Sequence, residues 1–235
     1  MWSAIKIFYI QVFYEPLLWG LVFLSSSLPG KDLGIAIILL TLIVKIILFP
    51  LTHKTLKTQQ VMKKLEPDIK KIQSDQGSSK EEQARKLMEL YRAHGINPFS
   101  GFFGLFVQLP ILIALYHIFW KGLEVIPTGV NTLFLGFIAL GEASIGMAAL
   151  ASISQFWQAR LSLVPSSAKA GDGKDMSKIM QKQMMYVFPV IIFMIAYKLP
   201  AAVSLYWTAM NVFAIMHEAY VRYQSRAESD SAAKN

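Results

Sequence analysis

Between Leu33 and Leu51 the chain reads LGIAIILLTLIVKIILFPL, with Lys45 as its only charge. A helix through this run is long enough to cross the ~30 Å hydrocarbon core of a bilayer. Other apolar runs recur downstream between polar, basic segments. Hydrophobic residues make up 54% of the 235 and charged residues only 16%, against about 25% charged in soluble domains. Backbone groups in lipid must be satisfied within the segment, so apolar runs of this kind predict helices. The fold expected is all-α: a polytopic membrane protein with five transmembrane helices, an N-terminal interfacial amphipathic helix and a cytoplasmic helical hairpin.

The expected organisation follows the polarity. Residues 1–30 form the N-terminal extracytoplasmic segment and 31–52 the first span, with Pro50 marking its kink or end. Residues 53–97 are polar and basic; Leu65, Ile69 and Ile72 form one apolar stripe, and Ser79 is an N-cap for a second helix. That pattern reads as an antiparallel hairpin outside the membrane. Residues 98–235 carry spans at about 102–120, 137–157, 184–198 and 201–221, a cytoplasmic loop at 158–183 and a polar, disordered tail at 222–235. Two placements stay open for residues 5–28. Lys6, Gln11, Glu15 and Pro16 within an apolar, aromatic-rich run suit a helix lying in the interface. The length of the run also allows a sixth span.

Net charge is +8, and it sits between the apolar runs, which points to topology and anionic lipid rather than nucleic acid. Basic residues accumulate after spans one, three and five. Those loops are therefore expected in the cytoplasm, with the N-terminus outside and the C-terminus inside, in the cell (plasma or inner) membrane. The absence of cysteine excludes disulfides and thiolate metal sites. The four histidines show no metal-ligand spacing and no phosphate-cradling loop is present, so an enzyme, a metal and a cofactor are not expected.

A lysine at mid-span costs about 2.5–3.5 kcal/mol on insertion scales unless it faces a wet cavity. Thr41 lies four residues before Lys45 on the same helical face. Two readings are balanced: a hydrated pocket inside the bundle, or a side chain snorkelling to cytoplasmic headgroups. Gln108, Gln155, Ser204, Thr208 and Asn211 add polar groups within other spans. Each alone suits interhelical hydrogen bonding; together they suit a shared cavity. Trp207, mid-span, either packs or turns its indole N–H to that cavity.

Several segments resemble the YidC/Oxa/Alb family of membrane protein insertases: LIVKIILFPLTHK (42–54), NPFSGFFGLFVQLPILIALY (97–116), MQKQMMYVFP (180–189), LPAAVSLYWTAMN (199–211) and PLLWGLVFL (16–24). The resemblance covers nearly the whole chain in order. It implies a five-helix core around a hydrophilic groove, open to cytoplasm and lipid and closed outside. It implies that Lys45 stands where relatives generally carry arginine, with Thr41, Gln155 and Trp207 at groove positions and Gln108 in a matching motif. Lysine lacks arginine's fork and can lose its proton when buried. The resemblance further implies a minimal bacterial form, without a large extracytoplasmic domain or a long basic tail.

The function expected is that of a membrane protein insertase or chaperone, acting alone or with a Sec translocon. The expected groove residues are Lys45, Thr41, Gln108, Gln155, Trp207, Ser204 and Thr208. Nascent membrane proteins, membrane lipids, and the ribosome and Sec translocon are the expected partners of a monomer, with no direct nucleic-acid binding. The alternative is a small ion or proton transporter in which Lys45 titrates.

Overall fold

The computed structural model describes residues 2–75, 77–97, 100–120, 126–162 and 183–232. Most of the expected 158–183 loop and Pro98 fall outside the described residues.

Helices α1 (Trp2–Tyr9) and α2 (Glu15–Ser27) run on through a π-helical turn (Ile10–Tyr14). Leu17, Leu21 and Ser25, each one turn apart, form the buried face of α2, while Trp19 and Phe23 are exposed. The next helix, α3 (Leu33–Ile47), starts at Asp32, whose Oδ1 accepts from the amides of Gly34 (2.7 Å) and Ile35 (3.0 Å). A carboxylate there satisfies amides that lack a helical partner and meets the positive end of the helix dipole. The buried face of α2 packs on α3, and a Cβ on Gly20 would stand 2.9 Å from Leu40.

At Leu48 the chain bends by 67° into α4 (Phe49–Lys64). Pro50 sits in the first turn of α4, where its missing N–H costs no helical bond. Helices α5 (Glu66–Gln73) and α6 (Lys80–Ala93) follow and pack together. Ser79 Oγ accepts from the Glu82 amide at 3.2 Å, capping α6, and Gly95 at φ +64° ends it. At the tip, Asp75 accepts from Ser78, Lys86 and the Gly77 amide. Those bonds hold its carboxyl below the usual range.

Helix α7 (Ser100–Trp120) continues through Pro110. The expected 137–157 span is corrected here. Strands β1 (Leu133–Phe134) and β2 (Ile138–Ala139) pair antiparallel, and α8 begins only at Ile145 and runs to Ser162. The reason is local: Leu135 and Gly136 both take positive φ (53° and 82°), which makes a tight hairpin turn and cannot be part of a helix. The Ser144 hydroxyl then accepts from the Met147 amide at 3.4 Å, within the first turn of α8.

This small hairpin ties two helix starts together. Asp32 Oδ2 accepts from the Leu135 amide (3.2 Å), and the amides of Ala201 and Ala202 donate to Glu142 and Leu140 carbonyls. The ring of Phe134 lies where a Cβ on Gly34 would be.

A π-helical turn (Gln183–Val187) leads into α9 (Phe188–Ala196), and α10 spans Ala201–Ala232. The expected disordered tail is thus corrected as far as Ala232. The helix continues because Arg222 reaches back to Glu218 one turn earlier and across to the Leu161 carbonyl.

Helix α10 is the centre of the bundle, packed on α8 and α3, with α9 on α8. Apolar side chains face outward as well, including Ile153, Trp157, Val190 and Met194, an arrangement suited to lipid. By length and composition, Ile5–Ser27 qualifies to cross a membrane. Helices α3 and α4 qualify together as one bent unit, and Gln108–Trp120 and Met185–Ala196 are shorter apolar helices.

Candidate functional site: a polar chain inside the bundle

Lys45 lies in the last turn of α3, half-buried. Its Nζ donates to Gln108 Oε1 of α7 at 3.2 Å, and Gln108 Nε2 donates to Tyr206 Oη of α10 at 2.6 Å. Three helices thus meet through three polar side chains amid apolar ones. Lys45 has no carboxylate partner among the described residues. In such a low-dielectric setting a charge on Nζ acts over longer range than in water.

The other expected residues divide. Thr41 is buried, but its hydroxyl donates to the Ile37 carbonyl of its own helix at 2.7 Å. Thr208 likewise donates to the Ser204 carbonyl at 2.8 Å, and Ser204 Oγ is buried with no hydrogen-bond partner among the described residues. Trp207 is buried within the main apolar cluster. Asn211 donates to Ser154 of α8 at 3.0 Å. Gln155 is bonded elsewhere: it donates to Gln158, which donates to Ser162.

That second chain ends at a residue not anticipated from sequence. Glu218 is 2% exposed. It accepts from Ser162 (2.6 Å), Arg222 (2.8 and 3.2 Å) and, more distantly, Lys63 of α4 (3.5 Å). Lys63 also donates to the Leu161 carbonyl at 3.4 Å. Burial, with the Arg222 charge beside it, holds the Lys63 ammonium below the usual lysine range. Close by, His53 of α4 and His217 of α10 stand 3.3 Å apart, with Phe49 stacked on His217. These contacts strap α4 across the ends of α8 and α10. The spacing of Glu218 and Arg222, four apart at the end of an apolar helix, was a usable sequence signal for an ion pair. Tyr206 carried none beyond its place next to Trp207.

A mostly helical bundle with apolar side chains outward and a cation among its helices is consistent with a membrane protein. The model of the family described as "60Kd inner membrane protein" matches residues 23–228, and the chain belongs to that family. Its relatives include a "Membrane protein insertase YidC" of Fusobacterium nucleatum subsp. nucleatum, 34% identical over 190 residues (81% of this chain, 86% of the relative). A "Membrane protein insertase YidC 1" of Halalkalibacterium halodurans is 29% identical over 213 residues (89% and 77%). The "Membrane protein insertase MisCA" of Bacillus subtilis is 30% identical over 196 residues (81% and 70%). The family and these relatives place the chain in the cell membrane.

Proposed function

We propose that this chain is a membrane protein insertase and chaperone whose working site is the interior groove around Lys45. The observation that carries the reading is the Lys45–Gln108–Tyr206 chain, a cation without a carboxylate partner among the described residues, in a family whose relatives are named insertases. Nascent membrane proteins are its substrates.

The physical steps need no nucleotide. An ammonium about 4 Å from a substrate carboxylate contributes about 4 kcal/mol at an effective dielectric of 20. That offsets the about 2.5–3.5 kcal/mol cost of bringing one Asp to mid-bilayer. The apolar part of the substrate then leaves sideways into lipid, and its burial there drives the reaction. Lys45, Thr41, Gln108, Gln155, Trp207, Ser204 and Thr208 line or support the groove.

Five helices cross the membrane: α3, α7, α8, α9 and α10, with the N-terminus outside and the α4–α6 hairpin and C-terminus in the cytoplasm, as the basic segments favour. Helices α1 and α2 lie obliquely at the outer face. Support comes from register. Lys45 and Gln108 are each twelve residues, about 18 Å, from Leu33 and Trp120, so those two residues mark one end of the bundle. Tyr9 stands 3.1 Å from His117, one turn from Trp120, while Ser27 lies just before Leu33. Tyr9 and the C-terminal end of α2 therefore both sit toward that end. The hairpin recruits substrate, and a ribosome or Sec translocon docks on the cytoplasmic side of a monomeric insertase.

Reconstituted proteoliposomes test this with a single-span substrate bearing an acidic N-terminal tail. Lys45→Ala lowers insertion and Lys45→Arg retains it. Undiminished insertion by the alanine variant removes Lys45 from the mechanism.

A further inference from the structure

Lysine is a poor choice for a fixed charge. Its ammonium sits on a flexible four-carbon stem and has no planar fork to set its direction. What fixes it in this protein is an amide, and an amide has two unlike ends. Gln108 presents Oε1 to Lys45 and Nε2 to Tyr206. In the opposite orientation, the amide N–H groups would face the ammonium, setting donor against donor.

The orientation is therefore fixed by the ammonium, which can only donate, and what stands at the far end of Gln108 decides how firmly the amide is held there. A tyrosine oxygen accepts a hydrogen bond, and the bond from Nε2 is short, at 2.6 Å. Tyr206 is itself enclosed. It is 3% exposed and follows Ala201, Ala202, Val203, Ser204 and Leu205, all buried where α10 packs on α8 and α3. The buried partner sits on the central helix, and the half-buried cation on the other end of the chain.

We propose that Tyr206 is a positioning residue for substrate recognition: its hydroxyl anchors the Gln108 amide so that the carbonyl oxygen holds the Lys45 ammonium toward acidic substrate segments. The role rests on the reading of Lys45 as the groove cation, and it makes Tyr206 act through Lys45 rather than on the substrate directly. Its signature is dependence on charge at both ends. Loss of the hydroxyl affects substrates with an acidic tail and leaves substrates without one alone. It also has no effect once the ammonium is gone.

The experiment uses the full chain in proteoliposomes and two single-span substrates, one with an acidic tail and one with the same tail carrying Asn in place of Asp. Both are assayed with Tyr206→Phe, Lys45→Met and the double variant. Tyr206→Phe keeps the ring, and near-unchanged thermal unfolding confirms its fold. The expected result is an acidic-tail insertion rate lowered about threefold to tenfold, the range of one lost hydrogen bond. The neutral tail stays unchanged, and Lys45→Met gains no further defect from Tyr206→Phe. Gln108→Glu is the second variant: a carboxylate there occupies the ammonium and lowers acidic-tail insertion further than Tyr206→Phe.

An equal loss on both tails, a loss that persists in the Lys45→Met background, or full activity of Tyr206→Phe overturns the proposal. The two levels separate cleanly. If Lys45→Met lowers acidic-tail insertion and Tyr206→Phe does not, the groove reading stands and the positioning role fails. If Lys45→Met changes nothing, both fail.

Discussion

Removing the Arg222 side chain should destabilise this protein more than removing Lys63, although both pair with Glu218. The carboxylate is 2% exposed, so most of its hydration is gone and its partners must replace it. Arg222 supplies two bonds, at 2.8 and 3.2 Å, while Lys63 stands at 3.5 Å. Arg222→Ala leaves a buried carboxylate with only Ser162 and a distant ammonium, a loss of about 3 kcal/mol, at the lower end of the range for breaking buried pairs. Lys63→Ala leaves the carboxylate well bonded and costs about 1 kcal/mol or less, the range of weak ion pairs. Glu218→Gln falls between, because the cations it strands are partly exposed (33% for Arg222) and can turn outward. For a chain of this size these losses correspond to roughly 6–12 °C for Arg222→Ala and under about 4 °C for Lys63→Ala. Thermal unfolding of the purified variants in one detergent gives the comparison. Equal shifts, or a larger one for Lys63→Ala, would refute the reasoning that burial of the carboxylate dominates the cluster.

Gly34→Ala puts a Cβ into the ring of Phe134 and destabilises the protein, with partial rescue by Phe134→Ala; the unfolding temperatures of the single and double variants check this. Asp32→Ala removes both the cap of α3 and the tie to Leu135, and costs about 1–2 kcal/mol in the same assay. The Asp75 carboxyl is held low in the folded hairpin tip, so its contribution is present above the unfolded value of 3.8 and is lost as pH falls through the lower folded value. The protection of the Gly77 and Ser78 amides against hydrogen exchange, taken relative to their intrinsic rate at each pH, therefore falls at acid pH in the native chain, and Asp75→Asn removes that dependence.

Much of the architecture was legible because lipid imposes a simple rule on composition. The run from Leu33 and the capped helix from Ser79 stand where the pattern puts them, and the break expected at Pro50 falls two residues earlier, at Leu48. The 137–157 reading began eight residues before the helix does, because an apolar run looks alike as helix or hairpin: Ile138–Ala139 pair with Leu133–Phe134, and the turn between them takes positive φ at Leu135, not a residue that announces it. The tail reading failed because composition is blind to the tertiary partner of Arg222, the Leu161 carbonyl. Within the site, Lys45 declared itself as a lone charge, and Gln108 as a polar group beside Pro110. What sequence could not supply was pairing across helices. It named Gln155 beside Lys45 but could not show that Gln155 is bonded along the chain leading to Glu218, and it passed over Tyr206, whose hydroxyl matters because Gln108 reaches it.

The central claim is that substrates pass through the interior of this bundle beside Lys45. Site-specific photocrosslinking to a stalled nascent membrane protein tests it most directly, with the probe at Trp207 or Gln155 and, for comparison, at the outward-facing Ile153 and Val190. Adducts from the interior positions during insertion, with few from the outward ones, are the predicted result. Adducts from Ile153 and Val190 alone would contradict it and move the path of insertion to the outer surface of the bundle.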